Sequence, residues 1–181
     1  MNINFNSFPK LKNMHEVRGF SLIELLLYVA TLSIMLLSIS VFLGTLLESR
    51  VKNQTIAEVE QQGLQAMQII TQTVRNAASI VGPATSTTSS TLTLATYAAT
   101  TTPTVFNLAE SVMQIIESTT PPVALTNNRI LVSDLLFSNF SRTSTPGVVQ
   151  IQFTIQHVTS TGKSEYTFSK TFYGSAALRF P

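Results

Sequence analysis

Arg18-Gly19-Phe20-Ser21-Leu22-Ile23-Glu24 opens the part of the chain whose reading decides the fold. Behind it, residues 25–47 run for 23 positions without a charge. At about 1.5 Å per residue, a helix over that run is roughly 35 Å long, enough to cross the hydrocarbon core of a bilayer. Glu24 stands at the mouth of this run. An acid at the centre of a membrane segment costs about 2.5–3.5 kcal/mol, and less near the end. A carboxylate in that place calls for a reason and a partner.

The segment Gly19-Phe20-Ser21-Leu22-Ile23-Glu24-Leu25-Leu26 resembles the N-terminal signal of type IV pilins and type II secretion pseudopilins. The likeness is specific over residues 18–47; beyond them only the general plan of the chain resembles the family. The resemblance implies that a prepilin peptidase cuts after Gly19 and methylates the new amine of Phe20, and that Glu24 is the assembly glutamate. It also implies a pilin-like α+β fold, a long N-terminal helix packed on a C-terminal antiparallel β-sheet. The implied partners are the prepilin peptidase, other pilin or pseudopilin subunits, a membrane-embedded assembly platform, and the lipid bilayer before assembly. The implied location is the cytoplasmic membrane, crossed once with the globular domain outside, and then a periplasmic or extracellular filament.

Two readings of Glu24 compete. In the local one, Ser21 and Glu24 form a Ser-x-x-Glu capping box, and the carboxylate suits the positive end of the helix dipole. In the intermolecular one, Glu24 pairs with the amine of Phe20 on a neighbouring subunit. That amine has a reference pKa of about 8 and is mostly protonated at neutral pH. Methylation retains the charge, so two costly charges neutralise each other.

Charge supports a processed leader. The chain carries a net charge of +2. Residues 1–19 hold Lys10, Lys12 and Arg18 against Glu16, and the remaining 162 residues hold eight basic and eight acidic side chains. The excess positive charge therefore lies before the apolar run, which fits a leader kept in the cytoplasm. An ordinary secretory signal is the alternative, but the run exceeds the usual 7–15 residues and no clear Ala-x-Ala site follows it. A balance this close to neutral gives no footing for a nucleic-acid surface. There is no cysteine, so a domain exported to an oxidising compartment rests on its core alone. Many major pilins close a C-terminal loop with a disulfide, so this departure leans towards a minor subunit.

Within residues 25–47, Thr31, Ser33, Ser38, Ser40 and Thr45 can each bond the carbonyl four residues back, so none forbids insertion. No proline interrupts the run, and a continuous helix is expected. From Glu48 the chain turns polar while the helical rhythm continues. Met67, Ile70, Val74, Ala77 and Val81 recur at spacings of three and four, one face of a helix. Gly63 is a weak point of about 1 kcal/mol against alanine. Gly82-Pro83 stops the helix. The domain reading is a leader over 1–19, a transmembrane or filament-core helix over 20–47, an amphipathic helix over 48–82, and a β-rich domain over 83–181.

Residues 84–104 are rich in threonine, serine and alanine, with a strand around Leu92 and Leu94 and exposed flanks. Further strands are expected at 105–108, Val112–Glu117, 129–133 and 135–140. The clearest covers 148–158, where Val149, Ile151, Phe153 and Ile155 alternate with Gln150, Gln152, Thr154 and Gln156, a period of two. Ser160-Thr161-Gly162 turns the chain into a return strand over 164–173, in which Tyr166, Phe168 and Phe172 alternate with polar residues. One half-buried sheet results, and the 64–81 helix face covers it. The order of elements is α+β.

No constellation for catalysis or cofactor binding is legible. His15 lies in the leader, and His157 stands alone at a strand end, read as a surface side chain. Glu58 and Glu60 read as a solvated helix face. The glycines are scattered, and no Gly-x-Ser-x-Gly elbow occurs. The chain is therefore read as non-enzymatic and without cofactor: a minor pilin or pseudopilin subunit, or else a non-polymerising, signal-anchored binding module displayed outside the cytoplasm.

Overall fold

The structure is a computed structural model that describes residues 19–142, 145–158 and 167–179. The leader up to Arg18 and the turn Ser160-Thr161-Gly162 lie outside the described residues, as does Tyr166. The chain forms two compact units, one ending at Gly44 and the other beginning at Thr45. Helix α1 (Leu22–Asn76) is 55 residues long and supplies the helical part of both. It is followed by nine strands in two antiparallel sheets, an α+β arrangement of the kind the resemblance implies.

The strands are β1 (Ala77–Gly82), β2 (Thr88–Ser89), β3 (Leu92–Thr96), β4 (Thr104–Ala109), β5 (Val112–Glu117), β6 (Val123–Ala124), β7 (Ile130–Asn139), β8 (Val148–His157) and β9 (Ser169–Ala177). One sheet has the order β1-β3-β4-β5-β6 and the other β2-β7-β8-β9. The sequence implies a single sheet. The threonine-rich segment makes the difference, since it sends β2 to one sheet and β3 to the other.

In the first unit the apolar run is helical and wholly exposed. Its hydroxyls fold back on the backbone as the sequence implies: Ser33 Oγ donates to the Val29 carbonyl at 2.7 Å and Ser38 Oγ to the Ile34 carbonyl at 3.0 Å. Thr31 Oγ1 reaches the Tyr28 carbonyl, three residues back, at 3.0 Å. This is the one helix, among the described residues, long and apolar enough to cross a membrane.

In the second unit α1 buries Thr55, Val59, Gly63, Ala66, Ile70 and Val74. Steps of three and four keep them on one stripe. The stripe packs on the inner faces of the strands, whose core includes Leu92, Leu94, Phe106, Met113, Ile130, Phe137, Ile151, Phe153 and Ile155. Full burial of one such side chain contributes about 1.5–3 kcal/mol. Along β8, Val149, Ile151, Phe153 and Ile155 are buried as the alternation requires. β9 starts later than the return strand expected at 164. Its Phe172 is buried and Phe168 is half-buried.

Two expectations fail for identifiable reasons. The helical rhythm carries the amphipathic helix to Gly82, but α1 ends at Asn76 and 77–82 is strand β1. Pairing of β1 with β3 overrides local rhythm. The Arg179 amide donates to the Arg75 carbonyl at 3.1 Å and so satisfies one of the last helical acceptors. Ala77 stays buried, but Val81 is 62% exposed instead of facing the core. The strands expected at 129–133 and 135–140 are one strand, β7, with a bulge between Ser133 and Leu136.

Candidate functional site at the head of the apolar helix

The residues implicated by the sequence gather at the first turn of α1. The Glu24 and Leu25 amides donate to the Ser21 carbonyl at 3.0 and 3.1 Å, so Ser21 is the capping residue. The reciprocal side-chain bonds of a capping box are not formed. The Glu24 carboxylate instead accepts from the Tyr28 hydroxyl, one turn on, at a long 3.5 Å. The Phe20 ring meets Tyr28 edge-on, with centroids 6.1 Å apart and planes at 69°. Phe20, Glu24 and Tyr28 thus share one face of the helix start. Gly19 is exposed, and a Cβ built on it meets nothing within 4 Å.

Among the described residues, no cation pairs with Glu24. Ion pairs in the globular unit include Arg129 with Glu58, His157 with Glu58, and Lys170 with Glu60. A carboxylate in the first turn gains up to about 1 kcal/mol from the helix dipole when exposed. Were the apolar run to span a bilayer, that would offset only part of the cost of a carboxylate at its head. Phe20, Leu22 and Ile23 around it are each more than 70% exposed, an apolar surface that none of the described residues covers.

The sequence does not reveal a second polar group, in the globular unit. His157 is not a surface side chain: it is 7% exposed, with Nε2 3.6 Å from Glu58 Oε2. Glu58 is not simply solvated either. It accepts from Asn127 Nδ2 at 3.0 Å and lies 3.7 Å from Arg129 Nε. Glu60 pairs with Lys170 at 2.6 Å. The signal available was the spacing of Glu58 from Val59 and Thr55, which sets it at the border of the buried stripe. His157 Nδ1 is buried without a partner. The group ties α1 to the loop before β7 and to the end of β8, which is a structural role. Among the described residues no group of three or more His, Cys, Asp or Glu side chains could hold a metal ion.

No family model, curated protein or solved structure matches this chain.

Proposed function

We propose that the protein is a structural subunit of a pilin-type filament, a minor pilin or pseudopilin. It would be cut after Gly19 by a prepilin peptidase, N-methylated on Phe20, and drawn from the cytoplasmic membrane into a type IV pilus or type II secretion pseudopilus. The observation that carries this reading is the Glu24 carboxylate. It has no cationic partner among the described residues, and it stands at the head of the exposed apolar run of α1 on the same face as Phe20. Cleavage would create a cation at Phe20, and a neighbouring subunit would bring that cation to Glu24. Desolvation of two charges is repaid only when the pair is close and well bonded, and packing of residues 20–47 between subunits provides the setting.

The test is the N-terminus of the protein isolated from its native cell. A chain beginning with methylated Phe20 is the expected result, with the Gly19→Ala variant retained at precursor mass. A chain still beginning with Met1 would replace this reading with that of a static anchored binding module.

A further inference from the structure

Beside the head of α1 the apolar run carries a groove of about 340 Å³, lined by Tyr28, Val29, Thr31, Leu32 and Met35. At 3.6 residues per turn, Tyr28, Thr31, Leu32 and Met35 fall within about 80° of Glu24 around the helix axis. The groove therefore opens on the face of the carboxylate and begins about one turn past it. Its walls are exposed, Leu32 by 59% and Met35 by 63%. The Thr31 hydroxyl donates to the Tyr28 carbonyl at 3.0 Å, which satisfies the one donor on its side chain. The chain's own Phe20 ring meets Tyr28 edge-on and does not line the groove.

The occupant follows from the carboxylate. No cation among the described residues pairs with Glu24. An exposed ion pair contributes little to holding two chains together. Its attraction rises where apolar cover lowers the local dielectric. Interfaces use this by ringing a central contact with groups that exclude water. The α-amine that a cut after Gly19 would create shares its Cα with the Phe20 ring. A neighbour that brings this amine to Glu24 therefore sets the ring down within about one helical turn of the carboxylate, where the groove begins. The walls suit a ring: aromatic pairs attract edge to face, and a methionine sulfur packs favourably against an aromatic side chain.

We infer that the groove is the seat of the Phe20 ring of a second copy of this chain, the copy whose amine pairs with Glu24. This contact rests on the subunit reading proposed above and supplies its apolar half. The surface given is the start of the chain after the cut, and the surface received on is the face of α1 from Glu24 to Met35. Two different surfaces joined head to tail make a contact that repeats without closing. It lets the two helices run parallel, with both starts at one membrane, as a singly anchored chain requires.

The natural chain has no cysteine, so the pair Phe20→Cys and Leu32→Cys in one chain reports the seat. The helix from Leu22 to Leu32 of one copy is about 15 Å long, and a disulfide spans Cα atoms roughly 4.4–6.8 Å apart. Only two copies can close the bond. In filaments sheared from the native cell and mildly oxidised, this variant is expected to give a ladder of disulfide-linked subunits. Phe20→Cys with Leu37→Cys, which puts the second thiol on the opposite side of α1, is expected to give none. Thr31→Trp fills the groove and leaves Gly19, Phe20 and Glu24 in place. It is expected to be cut normally and to fall about tenfold or more in sheared filaments, while Thr31→Ser assembles as the natural chain does. Should the Phe20 variants be missing from filaments, Thr31→Trp decides. With the natural chain cut after Gly19, equal ladders, no ladder in filaments that contain the variant, or Thr31→Trp at natural levels would overturn the seat and leave the subunit reading standing, with lipid or another side chain in the groove. A natural chain that still begins with Met1 would overturn both.

Discussion

Gly63 of α1 lies directly against the ring of Phe172 in β9, so close that a Cβ on Gly63 would overlap the ring. The ring has little room to retreat, because it stacks on Phe153 with centroids 5.4 Å apart and planes at 22°. Alanine at position 63 would raise helix propensity by about 1 kcal/mol. Overpacking a filled core typically costs about 1–3 kcal/mol. The overlap is with a buried ring rather than a flexible tip, so the penalty prevails. Gly63→Ala is expected to lower the melting temperature, and Phe172→Leu in the same chain is expected to recover part of the loss. A rise in melting temperature for Gly63→Ala alone would refute the close packing.

That glycine shows where sequence reading stops. Its low propensity is visible in the chain, but its partner is more than a hundred positions away. The long helix, the α+β order and the buried faces of β3 and β8 were legible because each depends on a local period. The end of α1 was not, because Ala77 and Val81 keep the helical rhythm while their backbone pairs with β3. The start of α1 was legible at Ser21, whose carbonyl accepts from the Glu24 and Leu25 amides. Tyr28 as the hydroxyl donor to Glu24 appears only with the coordinates. The cluster around Glu58 joins residues from three distant segments, so no local pattern announces it.

The bulge in β7 leads to a prediction about length rather than chemistry. Ile130 and Val132 face the core, and after the bulge Leu135, Phe137 and Asn139 do so, a change of phase by one residue. Asp134 absorbs the change with a positive φ of 53°. Deleting Asp134 would leave Ile130, Val132, Leu135, Phe137 and Asn139 in unbroken alternation, because side chains alternate with a period of two and the bulge holds one extra residue. The deletion is expected to retain cooperative unfolding of the globular unit, with β7 paired to β8 in one continuous register. Asp134→Gly keeps the length and removes the left-handed strain, roughly 1 kcal/mol or more for an ordinary residue, partly offset by glycine's greater unfolded-state freedom. It is expected to retain the wild-type melting transition within a few degrees. A deletion variant that loses its cooperative transition would show that the bulge itself, and not only the alternation, is needed for packing.

The turn between β4 and β5 is strained in the same sense. Ala109 pairs with Val112 across Glu110 and Ser111, whose φ values are 49° and 64°. A two-residue hairpin turn with both φ positive favours Asn-Gly. Replacing Glu110-Ser111 by Asn-Gly is expected to stabilise the domain by about 1 kcal/mol. Chemical denaturation reads this as a higher midpoint with an unchanged slope. A lower midpoint would mean that the Ser111 carbonyl, which accepts from the Val132 amide at 2.8 Å, is displaced by the change.

Glu58 and Glu60 look alike in sequence and should behave differently. Glu58 is 22% exposed and holds Asn127, with His157 and Arg129 close by. Glu60 and Lys170 are each more than 40% exposed. Removing a partner from a buried polar group costs about 1–3 kcal/mol, whereas an exposed ion pair contributes about 0–1 kcal/mol. Glu58→Ala is therefore expected to lower stability by about 1–3 kcal/mol, and Glu60→Ala by less than about 1 kcal/mol. Equal losses in urea denaturation would remove the distinction.

Glu24→Gln separates the two readings of the carboxylate. Glutamine at this position retains an oxygen that can accept from the Tyr28 hydroxyl and can serve a capping box as well as glutamate does. It removes the charge. A local role in starting the helix therefore survives the substitution, and an ion pair with a cleaved Phe20 amine does not. The variant is expected to insert in the membrane and to be cut after Gly19 as the natural chain is, because cleavage precedes pairing. It is expected to be missing from sheared filaments and to accumulate in the membrane fraction. Restoration by Glu24→Asp would be weak, since the shorter side chain draws the charge back towards the helix. Normal incorporation of Glu24→Gln into filaments would leave the carboxylate with a local role only. The exposed apolar surface of residues 20–47 would then have to drive assembly without a charge pair to set the register between subunits.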